Sequence, residues 1–234
     1  LGSVQPQPLP HQPDGSLGLA DIEAAIKPDD EHFARSRLLA LENTIGGKVL
    51  PMAYLAEATA LARSRGLATH MDGARLFNAA VVQASSSDGD ARAKARAIAD
   101  HFDSVSVCFS KGLGAPVGSA LVGSKELIQR AHRWRKMLGG GMRQAGMLAA
   151  AASYALQHHI DRLADDHALA GRLADGIHGI DGLDVVRPQS NIVFATARGG
   201  RGPALLARLR AQGVLATGLI GLRFVTHLDV DRAG

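Results

Sequence analysis

Residues 104–118, SVSVCFSKGLGAPVG, constrain the fold more than any other stretch. A Val-rich apolar run ends in a turn of Gly, Ser and Pro that carries a lone lysine, Lys111. Such a run reads as a buried strand, and a turn at its carboxyl end stands where open α/β sheets bind ligands. Gly112 and Gly114 let the backbone come close to a ligand. A lysine amine becomes nucleophilic when burial or a neighbouring cation lowers its pKa, and it then captures aldehydes. By itself the turn suits an ordinary surface lysine equally well.

The order of elements around this run sets the fold class. Leu19 to Ile26 reads as a short helix, Arg37 to Leu41 as a strand and Pro51 to Arg65 as a helix with proline in its first turn. Gly66 follows that helix, and Leu67 to Met71 reads as another strand. This is a βαβ unit, so Glu42 and Asn43 should lie beside Asp72 at the carboxyl edge of a parallel sheet. Leu76, Phe77, Ala80 and Val81 recur at helical spacing, and Ser85 to Asp90 reads as a surface loop. Residues 104–109 and 117–122 are expected as strands, Lys125 to about Met137 as a helix, and Gln144 to about Asp175 as a long helical stretch with room for a bend. Beyond about residue 176, strands at Leu183–Val186, Asn191–Ala195 and Leu222–Thr226 surround a helix at 203–212. The expectation is an α/β fold in two parts: a large domain over 1–176 and a small one over 177–234.

Composition narrows the function classes. A formal charge of +4 rests on 26 basic against 22 acidic residues, and the densest basic group, Arg130, Arg133, Arg135 and Lys136, has Trp134 as its only ring. That is a weak footprint for nucleic acid. The longest apolar stretches fall short of the roughly 18 residues of a membrane span, so a soluble chain is expected. The single cysteine, Cys108, excludes a disulfide framework, suits a reducing cytoplasmic compartment and reads as a core residue. His158 and His159 are adjacent on a helix and point apart, so no metal site is expected.

Three further places carry chemistry. In HMDGARLFNA, residues 70–79, Asp72 ends a strand and Arg75 follows three residues later. A carboxylate there either caps the next helix or holds a proton on a heterocyclic nitrogen. Arg75 has the planar fork that suits a carboxylate. Arg143, after the glycine run 139–141, sits at a corner suited to an anion or to a helix hinge. Arg223, in GLRFVTH, needs a partner or an exposed face.

In combination these motifs resemble a known family. ENT at 42–44, HMDGARLFNA, SVSVCFSKGLGAPVGSALVG, RWRKMLGGGMRQAG and RFVTHLDV follow the order and spacing of low-specificity L-threonine aldolases. Those are β-eliminating lyases that use pyridoxal phosphate on an aspartate-aminotransferase-like fold: a mainly parallel sheet with helices on both faces and a small C-terminal domain. The resemblance implies that Lys111 carries the cofactor, Asp72 pairs with its pyridine nitrogen and Ser110 lies beside it. Arg75 and Arg223 would grip the substrate carboxylate, and Arg143 would lie near the cofactor at a subunit contact. The implied reaction is retro-aldol cleavage of L-threonine or L-allo-threonine to glycine and acetaldehyde, in a cytoplasmic dimer of dimers.

The chain also departs from the family pattern. Ile45 and Gly46 stand where relatives commonly have His-Asn, and isoleucine cannot move a proton. Both ends read as cut: the Gly-Thr turn that cradles the cofactor phosphate and the histidine that stacks on its ring are not in the sequence. Losing about three charge-assisted hydrogen bonds removes on the order of 4–9 kcal/mol from cofactor binding. Weak or absent turnover is therefore expected, and the alternative reading is a non-catalytic fragment of such an enzyme; a basic nucleic-acid module is more remote.

Overall fold

The computed structural model describes residues 2–87, 89–218 and 221–231, so Asp88, inside the expected 85–90 loop, lies outside the described residues. After a Pro-rich start, α1 (Leu19–Ala25) leads to β1 (Leu38–Glu42), α2 (Met52–Ser64), β2 (Ala68–Gly73) and α3 (Leu76–Ser85). Then come α4 (Ala91–Ala99), β3 (Ser104–Cys108), β4 (Ser119–Gly123) and α5 (Lys125–Met137). Helices α6 (Gly146–His158) and α7 (Leu163–Ile177) precede β5 (Leu183–Val186), β6 (Ile192–Ala197), α8 (Gly202–Ala211) and β7 (Leu222–Val225).

Two sheets form. The first has the order β1-β2-β3-β4, with β1, β2 and β3 parallel and β4 antiparallel to β3. Period-two alternation decides its faces. Leu39, Leu41, Met71, Val105 and Val107 point inward onto Leu55, Ala58, Ala62, Leu76, Ala79 and Ile98 of α2, α3 and α4. Ala40, Glu42, His70, Asp72, Ser106 and Cys108 alternate with them and are half-buried or exposed. Cys108 is thus half-buried on the polar face and not the core residue its apolar run suggested.

The second sheet is the antiparallel set β5-β6-β7, packed on α7 through Ala170, Ala174, Val193, Ala195 and Leu222. It docks beside the end of β1. Gly46 and Gly47 have φ of 55° and 84°, and Ile45 and Lys48 exchange both backbone hydrogen bonds across them. That is a tight hairpin whose two central residues need positive φ, which favours glycine. Close approach adds a second reason for Gly47: a Cβ there would stand 2.9 Å from Cβ of Ile192. Ser190 Oγ donates to the Gly47 carbonyl at 2.7 Å.

The stretch 144–175 is two helices. They separate at 159–162, where the His159 ring donates from Nδ1 to the Leu113 carbonyl at 2.7 Å. Among the described residues, no helix is long and apolar enough to cross a membrane, and no group of His, Cys, Asp and Glu could hold a metal ion.

Candidate active site

The site forms at the carboxyl edge of the parallel strands. Glu42 is registered against Asp72, and Asp72 against Ser106, which places these three on one face of adjacent strands. Cys108 is two residues beyond Ser106 on the same face, and Ser110 and Lys111 follow in the turn. Cys108 Sγ and Ser110 Oγ lie 3.4 Å apart.

The Lys111 turn is held from both sides. Gly114 N–H donates to the Lys111 carbonyl at 2.8 Å, and Gly114 has φ of 69°, a second place where glycine is required. Behind it, a Cβ on Gly112 would stand 2.7 Å from Cδ2 of Leu163, so α7 packs directly on the turn backbone. The lysine side chain is left exposed.

Asp72 is a local cap and a site residue at once. One carboxylate oxygen accepts from Ala74 N–H at 3.0 Å. Its other oxygen has no hydrogen bond among the described residues, while α3 begins from Arg75 with no side-chain cap. Turn capping therefore fixes the carboxylate and leaves one oxygen for a ligand.

Electrostatics shows which groups share the site. Burial, then Asp72, hold Glu42 above the usual carboxylate range, opposed by Arg75, Lys111 and His11. Burial, then Arg223, lower the basicity of Arg75, with Glu42, Cys108 and Asp72 opposing. Arg75 and Arg223 are thus neighbours, and neither forms an ion pair among the described residues. Two adjacent, half-buried guanidinium groups repel each other, and a bound carboxylate or phosphate relieves that repulsion. His70 is also half-buried, with burial lowering its pKa, and it makes a 2.8 Å hydrogen bond through Nδ1 to Ser104 Oγ.

Lys111, Ser110, Asp72, Arg75 and Arg223 come together at this edge. Arg143 does not join them; it is exposed between α5 and α6. Sequence reasoning placed Glu42 beside Asp72 without giving it a role, and missed His11, Asn78 and His167 altogether. Asn78, one turn after Arg75, has its Nδ2 at 3.1 Å from Nε2 of His167 on α7. An isolated histidine in a Pro-rich loop and a histidine inside a helix carry no local signal of such contacts.

A mainly parallel α/β sheet thus gathers an amine, a carboxylate with a free oxygen and neighbouring arginines at its carboxyl edge, where open α/β sheets bind ligands. The beta-eliminating lyase family matches residues 1–199, and the chain belongs to that family. It is 48% identical over 232 residues to a low specificity L-threonine aldolase of Escherichia coli, covering 99% of this chain and 67% of that protein. A probable low-specificity L-threonine aldolase 2 of Arabidopsis thaliana is 42% identical over 201 residues, covering 83% of this chain and 54% of the plant protein. Among solved structures, a threonine aldolase of Leishmania major superposes with a TM-score of 0.74 at 24% identity, over 94% of this chain and 64% of that one. A putative L-allo-threonine aldolase of Listeria monocytogenes gives 0.70 at 24%, over 92% and 60%. The chain thus spans between about half and two thirds of the length of these relatives.

Family members use pyridoxal phosphate, and the residues present suit it. Lys111 offers a primary amine, and the free oxygen of Asp72 offers a partner for a ring nitrogen. Asn43 Nδ2 and Thr44 Oγ1, immediately beyond Glu42, are buried with no hydrogen-bond partner among the described residues, so polar capacity at this edge is unspent.

Proposed function

We propose that the protein cleaves a β-hydroxy-α-amino acid, L-threonine or L-allo-threonine, to glycine and acetaldehyde. The observation that carries this reading is the Arg75–Arg223 pair standing beside Asp72 and Lys111, in a chain so similar to L-threonine aldolases. Pyridoxal phosphate, when bound, supplies an electron sink for the bonds at the amino acid's α-carbon. Lys111 would hold the cofactor through its amine. Asp72 keeps a proton at the pyridine nitrogen, and Ser110 lies beside the cofactor. Arg75 and Arg223 grip the α-carboxylate, one from the end of the first sheet and one from the second, so residues 1–176 and 177–234 act as two units that meet at the substrate.

Arg143 serves the cofactor across a subunit contact in this reading, and the protein works as a homo-oligomer, a dimer of dimers, in the cytoplasm. Support for self-association comes from exposed apolar side chains on and after α5, among them Trp134, Leu138, Met147 and Tyr154.

Absorption spectroscopy tests the core of the proposal. The chain mixed with pyridoxal phosphate is expected to develop the visible band of a lysine-bound cofactor, and Lys111→Ala to lack it; coincident spectra refute the assignment. Glycine release from L-threonine then measures the reaction. Arg75→Gln and Arg223→Gln are each expected to raise KM by about 10-fold to 100-fold, the worth of charge-assisted hydrogen bonds to a carboxylate. An unchanged KM in both variants removes them from the substrate site.

A further inference from the structure

Lys111, Asp72 and the two arginines account for an amine, a ring nitrogen and a carboxylate. The proton of the substrate's β-hydroxyl has no acceptor among them. Position 45, where the family resemblance leads one to expect a histidine, holds an isoleucine whose Cγ2 would overlap a Cβ placed on Gly15. Ile45 is thus packed onto the 11–17 loop and joins the partly buried apolar residues around the first core. The proton must be handled elsewhere.

That same loop closes a cavity of about 240 Å³ over the ends of β1 and β2, lined by His11, Gly15, Leu17, Glu42, Leu50 and Asp72 among others. Since a water molecule takes roughly 30 Å³ of liquid, the space is worth about eight waters or a small polar molecule. The loop is fastened in place. His11 and Leu17 form a bridge, and Leu17 N–H donates to the Tyr54 hydroxyl at 2.9 Å. His11 itself is exposed at the mouth of the cavity.

We propose that Glu42 is the base that accepts the β-hydroxyl proton of the substrate, and that His11 relays that proton between Glu42 and solvent. The inference rests on the aldolase reading above. Position supports it first. Glu42 shares a sheet face and a register pair with Asp72, and it lies within the electrostatic reach of Arg75 and Lys111, the groups assigned to substrate and cofactor. Any amino acid held between those groups lies beside the Glu42 carboxylate. Asp72 is the other carboxylate lining the cavity, and it is committed to Ala74 N–H and to the ring nitrogen.

The environment of Glu42 also suits a base. Burial and Asp72 bring its pKa toward working pH, where a proton acceptor is most effective. The charged groups around it are Asp72 on β2, Arg75 at the start of α3, Lys111 in the β3–β4 turn and His11 in the loop; around the loop stand Asp14 and Lys48. In the step itself the hydroxyl proton passes to Glu42, and the oxygen's electron pair forms the aldehyde C=O as the Cα–Cβ bond breaks. Pyridoxal phosphate, when bound, would be the sink for the electrons of that bond. A proton returned to Cα from solvent completes glycine, so the reaction consumes none.

Two measurements test the pair. The first compares NMR spectra of the His11 ring, assigned with His11→Asn and recorded without cofactor: Glu42→Gln is expected to move the ring resonances, because a relay needs the two side chains within reach of each other; unmoved resonances overturn the relay. In the cofactor-loaded chain, Glu42→Gln is expected to lower kcat about 100-fold, keep KM within about twofold, leave the visible band intact and abolish the acidic limb of the pH profile. His11→Asn is expected to lower kcat about 10-fold, with added imidazole restoring it. Wild-type kcat in Glu42→Gln, loss of its visible band, or a wild-type chain that binds the cofactor yet cleaves no threonine overturns the role of base. Absence of the band in the wild type sinks the aldolase reading instead, and the pairing is then decided by the NMR comparison alone.

Discussion

Replacing Arg162 with alanine is expected to lower the unfolding free energy by about 3–5 kcal/mol, the loss typical when one partner of a buried ion pair is removed. Asp166, on the first turn of α7, has no exposed side-chain surface, and Arg162, just before the helix, is 20% exposed. The guanidinium meets both carboxylate oxygens, one of them at 3.3 Å. Even so paired, Asp166 is held above the usual carboxylate range, with burial the largest cause and Arg162 opposing it. Removing Arg162 leaves that carboxylate buried and unneutralised. Equilibrium denaturation measures the loss, and the double variant Arg162→Ala/Asp166→Leu should recover most of it, since it removes the stranded charge as well. A change below about 1 kcal/mol in the single variant would show that the pair carries little weight.

The consequence reaches the site because α7 contacts three of the segments that converge there. The Asp166 carbonyl accepts from Thr226 Oγ at 2.6 Å, three residues after Arg223. Leu163 backs the Lys111 turn, and His167 meets Asn78 one turn after Arg75. Loss of the ion pair should therefore weaken cofactor and substrate binding together with stability.

Much of the scaffold is legible in local sequence. Strand-length apolar runs, the proline that caps the start of α2 and Gly66 beyond its end mark the βαβ unit; the register then places Glu42 against Asp72 as that topology requires. Helix α4 leaves no comparable trace. In ARAKARAIA only Ala91, Ala95 and Ile98 are buried, so a small-residue stripe replaces the large apolar one that reveals a helix. A bend in the 144–175 stretch is legible, but no proline or glycine fixes its place at 159–162, where His159 bonds to the Leu113 carbonyl.

The site divides along the same line. Lys111, Asp72 and Arg75 each sit at a strand end and announce themselves by position, although only their mutual arrangement distinguishes a site from a turn, a cap and a surface arginine. The neighbourhood of Arg75 and Arg223 joins residues 148 apart in number, and no periodicity encodes such a contact. Cys108 misleads for a related reason: its composition is that of a buried strand, but strand alternation turns it to the polar face with Ser106.

Acidification from about pH 7 to about pH 4 is expected to destabilise the chain through His167 by roughly 3 kcal/mol, since each tenfold loss of proton affinity on folding is worth about 1.4 kcal/mol. Burial lowers the pKa of this imidazole from the ordinary 6.5 to about 4, and no charged neighbour offsets it. The contact at Nε2 explains why the neutral ring is retained: the Asn78 amide donates there, and a ring protonated on both nitrogens presents N–H to N–H. The sign follows from proton counting. Between about pH 6.5 and 4 the unfolded chain binds a proton at His167 that the folded chain refuses, so stability falls as pH falls through this window and levels off below it. Asp166 works in the opposite sense, because a carboxylate with a raised pKa is relieved by acid. Urea unfolding of wild type and His167→Gln at both ends of the window separates the two: the wild type should lose about 2–3 kcal/mol more than the variant. Equal losses would mean that the ring is already accessible to protons in the folded chain. Because Asn78 also lies against Gly112, at 3.4 Å from where its Cβ would be, protonation of His167 should disturb the Lys111 turn before it unfolds the chain. Loss of the cofactor's visible band is accordingly expected at a higher pH in the wild type than in His167→Gln.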